Sequence, residues 1–100
     1  MRYAHKVDDN QGDLIQVARS IGAAVQPLSM VGGGCPDVLV AFRGLWYVAE
    51  IKDGNKPPSR RKLTKREREW HDVFGAVAPV HIWETREDVF RTLGVVDEMG

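Results

Sequence analysis

The run from Gly34 to Lys52, GCPDVLVAFRGLWYVAEIK, constrains this chain more than any other stretch. Val, Leu, Phe, Trp, Tyr and Ile crowd residues 37–42 and 45–52, and Arg43-Gly44 breaks the run between them. That composition, cut by a glycine-containing pair, predicts two β-strands joined by a tight two-residue turn. Phe42 then faces Leu45, and counting outward in antiparallel register sets Asp37 opposite Glu50. Facing residues hold their Cβ atoms about 5 Å apart on one side of the sheet. Side chains alternate along a strand, so Lys52 projects from that side too.

Two carboxylates facing each other repel. Neither side of the hairpin is polar enough to be left to water. Leu39, Ala41, Trp46 and Val48 share the side of Asp37 and Glu50, while Val38, Val40, Phe42, Leu45, Tyr47, Ala49 and Ile51 line the other. A sheet apolar on both sides is expected to be covered on both. An acid pair at the end of such a hairpin suits a hard divalent cation held through oxygen, with Lys52 beside it as a charge or proton partner.

Pro36-Asp37, twelve intervening residues and then Glu50-Ile51-Lys52 resemble the signature of the PD-(D/E)XK nucleases. Three further stretches are similar to the VRR-NUC group, particularly its short stand-alone phage-type members. These are Asp9-Asn10-Gln11, the glycine-rich lead into Pro36-Asp37, and Lys62-Leu63-Thr64 ahead of a helix; the likeness runs from about His5 to Leu93. The resemblance implies Mg²⁺-dependent hydrolysis of DNA phosphodiesters, with Mn²⁺ able to substitute. Asp37, Glu50 and Lys52 would be catalytic, and Asp37, Glu50 and the backbone carbonyl of Ile51 would hold the metal. It also implies a homodimer acting on branched DNA such as four-way junctions, for which Trp46, Tyr47 and Trp83 offer aromatic surface.

Two acids have double readings. Asp13 lies in the first turn of a helix, where the dipole favours negative charge; the resembling proteins usually carry a Glu there, facing the metal. Glu67 completes a capping box with Thr64, and stands where the group usually has a Gln near its active site. Two other functions fit the same residues: a catalytically silent DNA-binding or structural module, and a hydrolase of small phosphoesters.

Charge distribution favours a polymeric substrate. Net charge is +0, yet seven of the 14 basic residues fall between 56 and 68, with Glu67 as the only acid there. Next to a carboxylate pair, Lys56, Arg60, Arg61, Lys62, Lys65 and Arg66 are read as phosphate contacts rather than a merely solvated face. One hundred residues fit a single domain with its core at about 8–94. No apolar run approaches the roughly 20 residues of a membrane span. Met1–Lys6 does not read as a signal peptide. Cys35 is the only cysteine, which excludes an internal disulfide or a cysteine-rich zinc site and suggests a reducing cytoplasm.

Along the chain, Asp8, Asp9 or Asn10 caps a helix running to about Ile21, with Leu14, Val17, Ala18 and Ile21 buried and Gly22 closing it. Residues 23–28 form a weak strand whose Pro27 suits an edge or an end. The glycines of the 29–34 loop let Asp37 enter at a bend, and Cys35 is inert packing. Residues 53–61 form a polar loop expected to be poorly ordered without a ligand. Thr64 starts a helix to about Phe74 that buries Trp70, Val73 and Phe74, with His71 off that stripe. Residues 80–83 make a fourth strand, and Thr85 caps a last helix to about Leu93, closed by Gly94. The expected fold is α/β: one mixed four-stranded sheet in the restriction-endonuclease-like order α-β-β-β-α-β, plus a C-terminal helix.

Overall fold

The hairpin forms in the expected register. Strand β2 (Val38–Phe42) pairs antiparallel with β3 (Leu45–Ile51), Phe42 opposite Leu45 and Val38 opposite Ala49. The turn is made by Arg43 and Gly44 with φ of 49° and 84°, the doubly left-handed geometry that suits the twist of a two-residue hairpin. The structure, a computed structural model, describes residues 10–96. The segment before Asn10, with Asp8 and Asp9 as alternative caps, and the tail beyond Val96 lie outside the described residues.

Around the hairpin stand helix α1 (Gln11–Ser20), strand β1 (Ala24–Pro27), helix α2 (Lys65–Gly75), strand β4 (His81–Trp83) and helix α3 (Arg86–Leu93). The sheet order is β1-β2-β3-β4, with β1 antiparallel to β2 and β4 parallel to β3. This is the α-β-β-β-α-β order with a closing helix. Pro27 ends an edge strand, where a missing N–H costs least. Among the described residues no helix is long and apolar enough to cross a membrane.

One face of the sheet carries the core. Val38, Val40, Phe42, Ala49, Ile51 and Trp83 lie buried against Leu14, Ile15 and Ala18 of α1 and Val89 and Leu93 of α3. Each large side chain so buried contributes about 1.5–3 kcal/mol. Gly22 closes α1 at φ 104°, and the Ala23 amide reaches back to the Ala18 carbonyl at 3.1 Å. Thr85 and Asp88 form a reciprocal capping box on α3, and Gly94 ends it at φ 71°. Trp83 is a core residue and its indole N–H donates to Thr92 at 2.9 Å, so it is not available as interface surface.

The second face departs from the expectation. It is not covered along its length: Leu39, Ala41 and Val48 are half-buried and Trp46 is 72% exposed. Helix α2 buries none of its residues, and Val73 and Phe74 remain 65% and 49% exposed. The reason lies in how α2 is docked. Its first turn is seated against the glycine loop, where a Cβ on Gly34 would overlap the backbone carbonyl of Arg66. Held there, α2 turns Glu67 and His71 toward the end of β3. Its apolar side is left outward, with Trp70 stacked on Phe74 at 3.9 Å.

The 53–61 loop is also more structured than its composition suggests. Asp53 is buried and accepts the Asn55 amide at 2.9 Å, the Gly54 amide bonds the Glu84 carbonyl at 3.3 Å, and residues Pro58–Arg60 make one 3₁₀ turn.

Gly33 and Gly34 both sit at positive φ, 67° and 83°. Alanine at either costs about 1–2 kcal/mol for the left-handed backbone. Only at Gly34 does the new methyl also meet α2; at Gly33 nothing lies within 4 Å. Urea unfolding should therefore show Gly34→Ala clearly less stable than Gly33→Ala, and equal losses would refute this account of the docking.

Candidate active site

Asp37 enters the site one residue before β2 begins. Its amide donates to the Ala49 carbonyl at 3.0 Å, and its carboxylate Oδ2 accepts the Ile51 amide at 2.7 Å. The side chain thus continues the β2–β3 ladder by one rung, in the place of a backbone carbonyl. Glu50 lies opposite, one position beyond the Val38–Ala49 pair, and is only 2% exposed. The Lys52 amide donates to the Trp83 carbonyl at 2.9 Å, which fixes the lysine at the end of β3.

These residues line one cleft of about 310 Å³ together with Gly34, Cys35, Thr64, Arg66 and Glu67. Lys52 Nζ stands 3.6 Å from Glu50 Oε2 and 2.9 Å from Glu67 Oε1. Glu67 combines its two readings. The same Oε1 accepts the Thr64 amide at 2.8 Å, and Thr64 Oγ1 accepts the Glu67 amide at 3.2 Å. A capping carboxylate therefore also holds the ammonium of Lys52.

Electrostatics make Glu50 the unusual group. Burial, then its hydrogen bond to Asp37 and the charges of Asp37 and Glu67, push its carboxyl up to about 10, against a smaller opposing pull from Lys52. Without a cation Glu50 keeps its proton and donates it into the acid pair, which relieves the like-charge repulsion. Glu67 behaves oppositely: burial raises its carboxyl, but the Thr64 amide and the Lys52 ammonium outweigh that and hold it below its ordinary range. Burial, with Glu50 and Asp37 nearby, pushes the half-buried Cys35 thiol up, which disfavours the thiolate.

The donor set fits a hard divalent cation. Glu50 is almost fully buried beside Asp37, and a cation displacing the proton of the pair would satisfy both carboxylates at once. Among the described residues no group of three or more His, Cys, Asp or Glu side chains is arranged to cage a metal. A cation here would rest on Asp37 and Glu50 and take its other oxygens from backbone, water or substrate, which is the usual habit of Mg²⁺.

Other expected site residues are placed differently. Asp13 does not line this cleft; it is exposed on a separate depression with Asn10, Glu84 and Thr85. Asn10 is the N-cap of α1 but gives no side-chain cap; its amide instead donates to the Lys52 and Glu84 carbonyls at 3.1 and 3.2 Å, tying α1 to the site. Of the basic block, Arg66 lines the cleft and Arg60, Lys62 and Lys65 are exposed, while Arg61 pairs with Glu84 at 3.5 Å. His71 comes within 3.9 Å of Glu50, a proximity that the apolar stripe of α2 conceals. Its spacing of four from Glu67 was the available signal, since such pairs share a helix face. Burial lowers the His71 imidazole below its ordinary value, Glu67 opposing and Lys52 assisting.

No protein-family model matches the chain, and no curated protein or solved structure matches it either.

Glu50 gives the metal-free protein a pH signature. The folded state keeps the Glu50 proton to about pH 10, whereas the unfolded chain loses it near 4.5. The folded state binds more protons between those values, so stability falls as pH rises. Between about pH 7 and 9, above the histidines and below the thiol, the slope should be up to about 1 kcal/mol per pH unit. Chelator-treated wild type should lose melting temperature over this window, and Glu50→Gln should flatten the loss.

Proposed function

We propose that this protein is a Mg²⁺-dependent DNA endonuclease of the VRR-NUC type, working in the cytoplasm on branched DNA. The observation that carries the reading is the acid pair Asp37–Glu50 with Lys52 against it, opening on a cleft whose rim bears Arg66. Asp37, Glu50 and the Ile51 carbonyl would hold the cation, which when bound supplies the charge that polarises a phosphate oxygen and lowers the pKa of a water.

The remaining work belongs to the chain. Asp37 is oriented by the Ile51 amide, so its second oxygen keeps one direction. Lys52 is held within reach of the reacting phosphate by Glu67 and Glu50, and neutralises charge as the attacking oxygen bonds to phosphorus. Arg66 on the rim and the exposed Arg60, Lys62 and Lys65 track the phosphate backbone without reading bases. An open, basic rim suits a polymer better than a small phosphoester.

We further propose a homodimer, because a four-way junction needs two symmetric cuts and a two-fold pair supplies them. The support is the uncovered sheet face. Trp46 lies between two apolar depressions, one with Leu39 and Ala41 and the other with Leu45 and Pro79.

Five measurements test this. Asp37→Asn, Glu50→Gln and Lys52→Ala should abolish Mg²⁺-dependent nicking of DNA while remaining folded, and Mg²⁺ should raise the melting temperature of wild type but not of Asp37→Asn. Equal shifts would sink the metal assignment, and folded variants that still nick would sink the catalytic one. In Ca²⁺, DNA affinity should fall steeply with salt, and Arg60→Ala with Lys62→Ala should lower the log–log slope by about 2. Light scattering should give twice the chain mass, and a four-way junction should be cut faster than a matched linear duplex. A monomer that cuts both equally would leave a general nuclease.

A further inference from the structure

Helix α2 brings two side chains to the carboxylate centre. Glu67 and His71 are four residues apart and face the end of β3 together. Glu67 is fully engaged with Lys52 and Thr64. His71 is not. Its Nε2 is buried without a hydrogen-bond partner, and so is the atom it faces, Oε1 of Glu50, 3.9 Å away. The two side chains are 12% and 2% exposed, so bulk water does not serve either atom. Buried polar atoms are rarely left unpaired, and two orphans facing each other mark a contact completed in another state.

The two oxygens of Glu50 are divided between neighbours. Oε2 is 3.6 Å from Lys52 Nζ, and Oε1 is 3.9 Å from His71 Nε2 on α2. A carboxylate that holds a cation through one oxygen is ionised, and its other oxygen then calls for a donor. An approach of about 1 Å brings Nε2 and Oε1 to hydrogen-bond distance. The ring of Trp70 stands edge-on to His71, with ring centroids 6.0 Å apart.

We infer that His71 is a positioning residue of the proposed metal centre: its Nε2–H holds Oε1 of Glu50 and so aims Oε2 at the cation. The inference rests on the metal reading given above, and it assigns to the chain a contact outside the acid pair itself.

The test is Mg²⁺ and Mn²⁺ affinity, measured calorimetrically on the full chain without DNA. His71→Leu, which removes the donor, should weaken both ions about tenfold or more. His71→Gln, whose amide can donate from a similar position, should restore most of that affinity. Three results would each overturn the assignment. One is His71→Leu binding like wild type; another is His71→Gln binding as weakly as His71→Leu, which would make shape rather than donation the cause. The third is a loss confined to Mn²⁺, which would mean direct nitrogen ligation. Nitrogen NMR of the wild-type imidazole needs no variant: with Mg²⁺ bound, Nε2 should carry the proton, and a bare Nε2 overturns the inference. Failure of wild type to bind Mg²⁺ any better than Asp37→Asn would instead remove the metal reading and this inference with it.

Discussion

One hydrogen bond sets the geometry of the cleft: the Ile51 amide to Asp37 Oδ2, at 2.7 Å. Past the last paired residues of a hairpin, strands fray and their polar groups turn to water. Here a side-chain oxygen supplies the next acceptor, so the two strands stay together for one more step. That step is the one that holds Glu50 beside Asp37. Burial of Ile51 and Trp83 beneath, both inaccessible to solvent, makes the position rigid. The acid pair is therefore held close by the same ladder that builds the core, at the cost of one carboxyl staying protonated.

The fold divides its labour between the two faces of the sheet. On one, α1 and α3 bury apolar side chains and stabilise the domain. On the other, α2 is attached by polar contacts: its capping box, the Lys52–Glu67 ion pair and close backbone packing at Gly34. A helix attached in this way contributes little to the core, yet it delivers Glu67, Arg66 and His71 to one place. Its apolar residues are left outward as a consequence of that orientation.

The hairpin, its register, the caps at Thr64 and Thr85 and the stops at Gly22 and Gly94 were legible in the sequence, because each follows from local spacing and backbone chemistry. The placement of α2 was not. Trp70, Val73 and Phe74 form an apolar stripe, and stripes ordinarily face cores. The contact that overrides it, Gly34 against the Arg66 carbonyl, joins segments distant in sequence and leaves no periodic trace. Trp83 and Trp46 illustrate the same limit. Both are tryptophans on strands, and only the side each strand residue faces sends one to the core and the other to the surface. Asp13 was ambiguous as a helix-start acid, and it lies on a depression apart from the cleft.

The parallel pairing of β4 with β3 has a temporal consequence. Lys52 is anchored through its amide to the Trp83 carbonyl, and Glu50 lies level with Ile82. During synthesis the hairpin emerges first and can zip by itself, because its contacts are local. The strand that fixes the lysine arrives some thirty residues later, and a parallel neighbour can dock only after the intervening helix has crossed over. A nascent chain would thus carry both acids, but not a fixed lysine, until residues 81–83 had left the ribosome. Assembly of the cleft is coupled to near-completion of the domain.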